Sequence, residues 1–229
     1  MTDNPEISII IPYGYYTADL ETTLRSTISQ NCQFEIILVT NRELRRSLDG
    51  MVSGRYRIVE SNEVGRGYFC SAGVLEAKGS VLLFLHADTI LPNQWCQRIL
   101  ETMANPSVAG GGFSTYFRTN HWFVKRISKL YNLFSQVIHE FWGDRAIFMR
   151  KKDLLSNLDR IKVPLMEDVE MSKIIRRNGK MILLPDAVST SALHFRVKGH
   201  FRHIIEVIFF RILYALGVSA DRIFKWYYR

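Results

Sequence analysis

The chain has 229 residues, which fits one large domain or one domain with an appendage, since single domains commonly have ~150 residues. Hydrophobic residues make up 47% and charged residues 23%, which excludes a disordered or fibrous chain. The formal net charge of +8 favours an anionic partner. The three cysteines (Cys32, Cys70, Cys96) are odd in number and far apart, so we expect neither a disulfide framework nor a zinc ribbon. We expect the protein to work in a reducing compartment.

Neither end of the chain predicts membrane insertion or secretion. The first residues lack the basic start and long apolar stretch of a secretory signal. The most apolar segment, Ile204–Val218, is interrupted by Glu206 and Arg211 and is shorter than the ~20 residues that cross a bilayer. We therefore expect a cytoplasmic protein.

The first part of the chain alternates between short apolar runs and helical segments. The runs do not alternate with polar residues, as expected of strands buried on both faces: Ile7–Ile11, Phe34–Val39, Tyr56–Val59 and Val81–Leu85. The helical segments between them are Asp19–Gln30, Arg42–Leu48 and Tyr68–Ala77. This alternation predicts a parallel sheet with right-handed crossovers.

The second part has a less regular pattern. In chain order we predict a helix over Asn93–Met103 opened by Pro92, a strand over Phe113–Phe117, a helix over Trp122–His139, a strand over Ala146–Arg150, a helix from near Glu167, a short edge strand over Leu183–Pro185 and two C-terminal helices. No internal repeat or linker is present. We expect a single α/β domain over residues 1–229, whose first half holds a ligand and whose second half completes the site.

Polar residues follow each predicted strand, at the edge where open parallel sheets bind ligands. The sequence His86-Ala87-Asp88 comes directly after a buried run. Residues i and i+2 of an extended strand point the same way, so both side chains are predicted to face one metal ion or phosphate. A polar strand end in which Asp88 caps a turn explains the local pattern equally well.

A second acidic cluster, Glu167-Asp168-Val169-Glu170, begins a predicted helix. Acidic residues suit the positive end of a helix, and this structural interpretation is favoured for Glu167 and Glu170. Asp168 is the candidate for chemistry, because a carboxylate near a bound cation stays ionised and accepts a proton.

The glycines of Gly65-Arg66-Gly67 do not form a dinucleotide-binding fingerprint, because Cys70 stands where a third glycine is needed. They would let the backbone approach a phosphate, with Arg66 supplying charge. A simple turn into a helix is an equally good interpretation.

Together these segments resemble family 2 glycosyltransferases of the GT-A fold. The resemblance rests on Phe84–Thr89, Gly143–Phe148 and Pro164–Glu170, and it is closest to the arsenosugar-biosynthesis-type subfamily, whose ending resembles Leu216–Arg222. It implies an α/β GT-A fold, with a Rossmann-like, mainly parallel sheet flanked by helices. Residues 1–118 would form the nucleotide-binding half, 119–197 the acceptor and catalytic half, and 198–229 basic, aromatic C-terminal helices.

The resemblance also implies an activity and a site. A sugar would pass with inversion from a nucleoside-diphosphate donor to an acceptor hydroxyl, with Mg²⁺ or Mn²⁺ offsetting the charge of the leaving diphosphate. Asp88 and His86 occupy the place of the family's Asp-x-Asp metal motif, and Asp168 that of the catalytic base beside Glu167. Asp144, Gly112 and Arg145 are expected in the sugar or acceptor pocket, and Pro12 and Arg66 near the donor. His194 is a candidate for a further metal ligand, although a lone histidine is more often structural.

Two departures from the family pattern concern the nucleotide base. The acidic residues expected after the first two strands are replaced by Tyr13-Gly14-Tyr15 after Pro12, and by Asn41-Arg42 after Thr40. Asn41 would then hydrogen-bond the base, with Tyr13 or Tyr15 stacked on it. Alternatively, nucleotide binding is lost and the chain is a catalytically degenerate binding or scaffold protein.

The C-terminal segment is basic and aromatic. Residues 194–229 contain seven Lys or Arg and two acidic residues, and aromatic and basic residues alternate over Arg222–Arg229. This pattern suits an anionic membrane surface, and would place the protein on the inner face of the membrane. A docked terminal helix is the favoured alternative, and nucleic acid is the weakest because no nucleic-acid motif accompanies the charge.

Overall fold

An eight-stranded sheet forms the centre of the protein. The structure is a computed structural model, and it describes residues 5–14, 19–28, 32–48, 56–119, 121–192 and 200–228. The strands are β1 (Ile7–Tyr13), β2 (Phe34–Thr40), β3 (Arg57–Glu60), β4 (Val81–Phe84), β5 (Thr89–Ile90), β6 (Val108–Arg118), β7 (Ile147–Arg150) and β8 (Lys180–Ser191). Their order across the sheet is β3-β2-β1-β4-β7-β6-β8-β5.

Helices flank this sheet. They are α1 (Leu20–Ser26), α2 (Arg42–Leu48), α3 (Arg66–Glu76), α4 (Trp95–Met103), α5 (Trp122–Ile138), α6 (Lys151–Leu155), α7 (Glu167–Asn178), α8 (His200–Ala215) and α9 (Ala220–Tyr227), with 3₁₀ turns at Gly143–Arg145 and Leu158–Arg160. Within the described parts of the chain, no helix is long and apolar enough to cross a membrane.

The parallel pattern predicted for the first half is confirmed, and the second half is mixed. Strands β1 to β4 pair in parallel, as do β6 and β8. Strand β7 runs antiparallel to both β4 and β6, and β5 runs antiparallel to β8. The predicted Rossmann-like half is therefore joined to a second half through the antiparallel strand β7.

The predicted short edge strand at Leu183–Pro185 is wrong in length and position. Strand β8 has twelve residues and lies between β6 and β5. Its pairing with β6 jumps from Phe113–Leu184 to Ser114–Ala187, so Pro185 and Asp186 are left out of register. A proline cannot donate to the ladder, and the irregularity removes it from the pairing without ending the strand.

The apolar runs are buried because the sheet has a core on each face. In β1, Ile9 and Ile11 pack in one cluster with Leu83 and Trp95. Ile10 packs in the other, against α3 and α7. This burial on both faces explains why these strands do not alternate with polar residues.

The sequence predicts no disulfide framework, and the structure has a single bridge between two of the three cysteines. Cys32 and Cys96 form a disulfide with their Cα atoms 6.5 Å apart, and Cys70 is free and buried. The two partners lie 64 residues apart, before β2 and in α4, where the Phe34 and Trp95 rings meet edge to face. Their proximity is created by tertiary packing, which cysteine spacing does not reveal.

Candidate active site

The His86–Thr89 segment is a turn, which corrects the prediction of an extended strand. Strand β4 ends at Phe84, and the Thr89 amide donates to the His86 carbonyl over 3.1 Å. The turn is held by Arg118, which donates to the Asp88 carbonyl over 2.9 Å. The i, i+2 argument therefore does not apply to His86 and Asp88.

His86 lies in one cleft with the second acidic cluster. A Cβ built on Gly143 would stand 2.7 Å from His86 Nε2 and 3.7 Å from Asp168 Oδ2, so the missing side chain lets these two groups approach. The cleft is lined by Pro12, Cys70, Phe84, His86, Gly143, Ile147, Glu167, Asp168 and Met171. Two sequence segments about 80 residues apart thus meet at one glycine.

Asp88, Asp144 and Asp168 form an electrostatically linked series. Burial raises the pKa of Asp88, and the neighbouring Asp144 raises it further, against the opposing charge of Arg118. Burial and the charge of Asp168 likewise raise the pKa of Asp144, opposed by Arg145 and by a hydrogen bond from Tyr131. The charge of Asp144 thus acts on Asp88, and the charge of Asp168 acts on Asp144, although Asp88 and Asp144 are not among the residues that line the cleft.

Asp144 is fixed by an aromatic residue of α5. The Tyr131 hydroxyl donates to Asp144 Oδ1 over 2.5 Å. The Arg145 guanidinium lies 4.1 Å from the centre of the Tyr131 ring and donates to the Tyr131 carbonyl over 2.9 Å. These contacts connect helix α5 to the Gly143–Arg145 turn, which contains Asp144.

Arg145 and Gly112 do not line the pocket in which the resemblance places them. Arg145 has no exposed surface, and its guanidinium donates to Asn132 and to main-chain carbonyls. Gly112 is buried in β6, where a Cβ would meet the Phe141 ring at 3.2 Å. Both residues support the site from within the core.

Asp168 is held by main-chain and side-chain donors. Gly143 N–H donates to Asp168 Oδ2 over 2.8 Å, and Val169 N–H donates to Oδ1 over 2.8 Å. Arg211 of α8 donates to Oδ2 over 3.2 Å. Burial acts to raise the pKa of Asp168, but the guanidinium groups of Arg211 and Arg66 hold it below its ordinary value, so the carboxylate is ionised.

Arg211 is a site residue that the sequence interpretation missed. Its guanidinium also pairs with Glu140 at 2.7 Å and lies 4.5 Å from the centre of the Trp142 ring. An arginine within the apolar run Ile204–Val218 was the available signal, but nothing in the sequence identifies its partner. Packing of α8 against the site supplies that information.

Arg66 pairs with Glu167, whereas the sequence interpretation assigns its charge to a phosphate of the donor. Arg66 Nε lies 2.7 Å from Glu167 Oε1. Burial raises the pKa of Glu167, and the charge of Arg66 opposes that shift. Among the described residues, Glu167 Oε2 is buried without a hydrogen-bond partner.

The glycines beside Arg66 fit against protein backbone. A Cβ on Gly67 would lie 2.2 Å from the Val163 carbonyl oxygen. Gly65 has a φ of +148°, and a Cβ on it would lie 2.4 Å from the Pro164 Cα. The Arg66 amide donates to the Pro164 carbonyl over 3.0 Å. This close approach joins the start of α3 to the loop before α7 and sets Arg66 beside Glu167.

Glu170 has a structural role, which it fills through ion pairs and a hydrogen bond as well as through its position in the first turn of α7. Its carboxylate lies 2.6 Å from Arg160 and 2.7 Å from Lys173, and it accepts a hydrogen bond from Tyr214. These partners tie α7 to α8 and to the 3₁₀ turn at Leu158–Arg160.

The residues predicted to recognise the base are placed differently. Tyr13 is fully buried, so its ring is not available to stack on a base. Asn41 Oδ1 accepts the Leu44 amide over 2.8 Å and caps α2. Pro12 lines the cleft, whereas Tyr15 and His194 lie outside the described residues.

Unusual backbone conformations occur around this cleft. His139, Ala146 and Met166 have φ values of 49°, 47° and 72°. Such values are uncommon for residues other than glycine and occur often at functional sites. Met166 directly precedes Glu167 at the start of α7, and Ala146 directly follows the Gly143–Arg145 turn.

The acidic groups fit a divalent cation held partly by substrate. In the described portion of the chain, no three His, Cys, Asp or Glu side chains form a ready metal cage. Burial is the main cause that raises the pKa of both Asp88 and Asp144, and the charge of Asp144 raises that of Asp88 further, so a bound cation would favour the ionised carboxylates. Mg²⁺ is commonly bound through one or two carboxylates together with substrate phosphates, so this donor set suits it.

Comparison with protein families identifies the chain. The family model described as "Glycosyl transferase family 2" matches residues 8–159. The chain belongs to glycosyl transferase family 2. The match includes His86, Asp88 and Asp144 and ends before Glu167 and Asp168.

Solved structures of TarS from S. aureus share the fold of this family 2 chain. TarS 1-349 in complex with UDP-GlcNAc has 15% identity and a TM-score of 0.56 over 81% of this chain and 58% of that one. A longer TarS structure has 15% identity and a TM-score of 0.59, and the alignment covers 91% of this chain and 40% of that one. TarS 1-349 without the ligand in its name has 15% identity and a TM-score of 0.56, with 91% of this chain and 65% of that one covered.

This likeness confirms the predicted GT-A fold. The chain spans 40% to 65% of the length of these structures. No curated protein sequence matches it.

Proposed function

We propose that the protein transfers a sugar, with inversion, from a nucleoside-diphosphate sugar to an acceptor hydroxyl. The observation that carries this proposal is the meeting of His86 and Asp168 at Gly143, in a cleft that also contains Glu167. Membership of glycosyl transferase family 2 supports the reaction class. The UDP-GlcNAc bound to TarS supports a nucleotide sugar as donor.

Asp168 is the proposed catalytic base. A carboxylate has about four lone-pair sites, and three N–H groups, those of Gly143, Val169 and Arg211, use three of them. The remaining site would accept the hydrogen bond of the incoming hydroxyl. A base with a lowered pKa is ionised at neutral pH, and its position compensates for its modest proton affinity.

Asp88, with His86 nearby, is the proposed holder of Mg²⁺ or Mn²⁺. When bound, the cation would offset the negative charge that develops on the leaving diphosphate. Tyr131 orients Asp144, whose charge acts on Asp88, and Arg118 fixes the turn that carries Asp88. These residues would hold the carboxylates in place while the donor binds.

The test measures donor turnover by the full chain. Wild-type protein with a panel of nucleotide sugars and Mn²⁺ is expected to release nucleoside diphosphate. Asp168→Asn should lower the rate by about 10²- to 10⁴-fold, because the general base is lost while the shape is kept. Asp159→Asn, an exposed aspartate paired only with Lys162 among the described residues, is the control and should keep the wild-type rate.

A degenerate binding or scaffold protein is the alternative. Burial of Tyr13 and capping by Asn41 leave the predicted base contacts unsupported, which favours this alternative. Donor hydrolysis that needs metal and disappears in both Asp88→Ala and Asp168→Asn would reject it. Silence across the whole donor panel would favour it over catalysis.

Four predictions from the sequence are tested neither by the fold nor by the comparisons, and they stay predictions. They are the arsenosugar-type subfamily, a single domain over 1–229, a cytoplasmic location and attachment to an anionic membrane through the C-terminal tail. The tail helix α9 buries Ile223 and packs with Phe210 and Val169, whereas Trp226 and Tyr228 are exposed. These contacts support the docked terminal helix as the main role of α9.

A further inference from the structure

Helix α8 presents an apolar face to the outside of the protein. Ile205, Ile208, Phe209, Ile212 and the following Leu216 recur at helical spacing and are 43% to 77% exposed. Phe210, on the opposite side, is 6% exposed and packs against α7 and α9. A helix on a protein surface normally has polar residues on its outer face, so this second apolar face is unexplained by the fold.

Helix α5 has the same property. It buries Val124, Ser128, Tyr131 and Ser135 on one face. On the other it exposes Leu130, Leu133, Phe134 and Val137, which are 50% to 69% accessible. Apolar patches of this kind mark interaction sites.

Both helices contact Trp142, which directly precedes the Gly143–Arg145 turn of the candidate site. The Tyr131 and Trp142 ring centres are 4.9 Å apart, and Arg211 of α8 lies 4.5 Å from the Trp142 ring centre. Ile204 of α8 also packs against the cluster that contains Val124 of α5. The apolar faces of both helices therefore belong to neighbouring elements.

The charges around these faces indicate the kind of partner. Residues 122–138 contain three Lys or Arg and no acidic residue, and Arg126 and Lys129 are exposed. Arg202, Arg222 and Lys225 are exposed on α8 and α9, against one exposed acidic residue, Asp221, and the half-buried Glu206. A second copy would bring like charges together, whereas an anionic bilayer offers both hydrocarbon and phosphate groups.

We infer that the exposed faces of α5 and α8 form a membrane-docking surface that lies on anionic phospholipid. The contact would involve the interface alone, as no described helix can span the bilayer. It differs from the contact predicted for Arg222–Arg229, because the apolar residues are on α5 and α8. This inference does not depend on glycosyl transfer.

The experiment measures co-sedimentation of the full chain with vesicles of phosphatidylglycerol and phosphatidylcholine in equal parts. Wild-type protein should bind at low salt, bind less as salt rises, and bind vesicles of phosphatidylcholine alone weakly. Ile205→Glu/Ile212→Glu, and separately Leu130→Glu/Val137→Glu, should each lower the partition coefficient at least about tenfold. Leu75→Glu on α3, an equally exposed leucine, is the matched control and should bind like wild type.

Each outcome decides the inference. No binding to anionic vesicles at low salt overturns it, as does wild-type binding by both double variants. Loss of self-association in the variants, measured by light scattering without vesicle binding, would assign the surface to a second copy instead. Asp168→Asn should bind vesicles like wild type, so a failure of the proposed catalysis is distinguishable from a failure of docking.

Discussion

One guanidinium connects the C-terminal part of the chain to the proposed base. Arg211 reaches from α8 to Asp168, and its other contacts with Glu140 and the Trp142 ring fix its direction. The side chains of its pair with Asp168 are only 12% and 5% exposed, so solvent screens this pair less than it screens surface pairs. The charge of Asp168 at a given pH therefore depends on a residue 43 positions away in the chain.

Removing Arg211 should change the pH dependence of the reaction. In Arg211→Ala the pKa of Asp168 rises, because burial is no longer opposed by that charge, so the acidic limb of the kcat/KM profile moves to higher pH. Arg211→Lys should move it less, and Arg202→Ala, an exposed residue of the same helix, should leave it in place. An unmoved acidic limb in Arg211→Ala would contradict the assignment of Asp168 as base.

The same variant should lose stability in a pH-dependent way. A lowered carboxyl pKa contributes stability above the unfolded-state pKa, about 3.9 for Asp, and this contribution is lost as pH falls through the folded-state pKa. The stability difference between wild type and Arg211→Ala should therefore be largest near neutral pH and shrink in acid. Denaturant unfolding at several pH values measures it.

At the level of elements, two glycines control how close segments of the site approach. Gly143 accommodates a flexible side chain, His86, while Gly67 accommodates the rigid backbone of residues 161 and 163. The same substitution should therefore have different consequences at the two positions.

Gly143→Ala should reduce activity more than stability. Its Cβ would meet His86 Nε2, which can move, so we expect a nearly unchanged thermal midpoint and at least a tenfold loss of donor turnover. Gly67→Ala would meet two carbonyl oxygens and should destabilise the fold by about 1–3 kcal/mol or more. Calorimetry and donor turnover on both variants check this contrast, and a fully active Gly143→Ala would contradict the proposed site.

The strands were predictable because their burial leaves a local pattern. Strand β1 was expected at Ile7–Ile11 and spans Ile7–Tyr13, and helix α2 matches Arg42–Leu48 as expected. Strand β8 was not predictable, because Pro185 ends the local pattern while a register shift lets pairing continue. The turn at His86 was missed for a related reason, since its backbone is held by Arg118, 30 residues away.

The roles of the acidic residues stay predictions, whereas their partners in the structure could not be predicted from the sequence. Asp88, Asp144 and Asp168 stand in recognisable segments, and the structure links them electrostatically. Arg66 and Tyr13 were assigned to the donor from their positions after loops and strands, yet packing gives them internal roles. Contacts between distant segments decide which polar residues reach the cleft.

At the level of the whole molecule, the Cys32–Cys96 bridge links the segment before β2 to α4. A closed loop of 64 residues restricts the unfolded chain and contributes about 4 kcal/mol in the chain-entropy model. Cys96→Ser, or reduction of the oxidised protein, should lower the free energy of unfolding by up to about that amount.

Denaturant titration with and without reductant gives the measurement. Peptide mapping without reductant should recover Cys32 joined to Cys96 and Cys70 as a thiol. Cys70→Ser, although buried, should keep the reductant effect, whereas Cys96→Ser should abolish it. An equal response to reductant in wild type and Cys96→Ser would contradict the pairing.

The bridge also changes what a single peptide-bond cleavage does to the oxidised protein. Strands β2, β3, β4 and β5 all lie between the two joined cysteines. A protease that cuts once anywhere in that interval leaves the two fragments joined by the disulfide, so the nicked molecule gains only the mass of one water and stays a single covalent species until a thiol is added. Most of the sheet's parallel half is thus enclosed in a covalent ring that tolerates one break without releasing a piece.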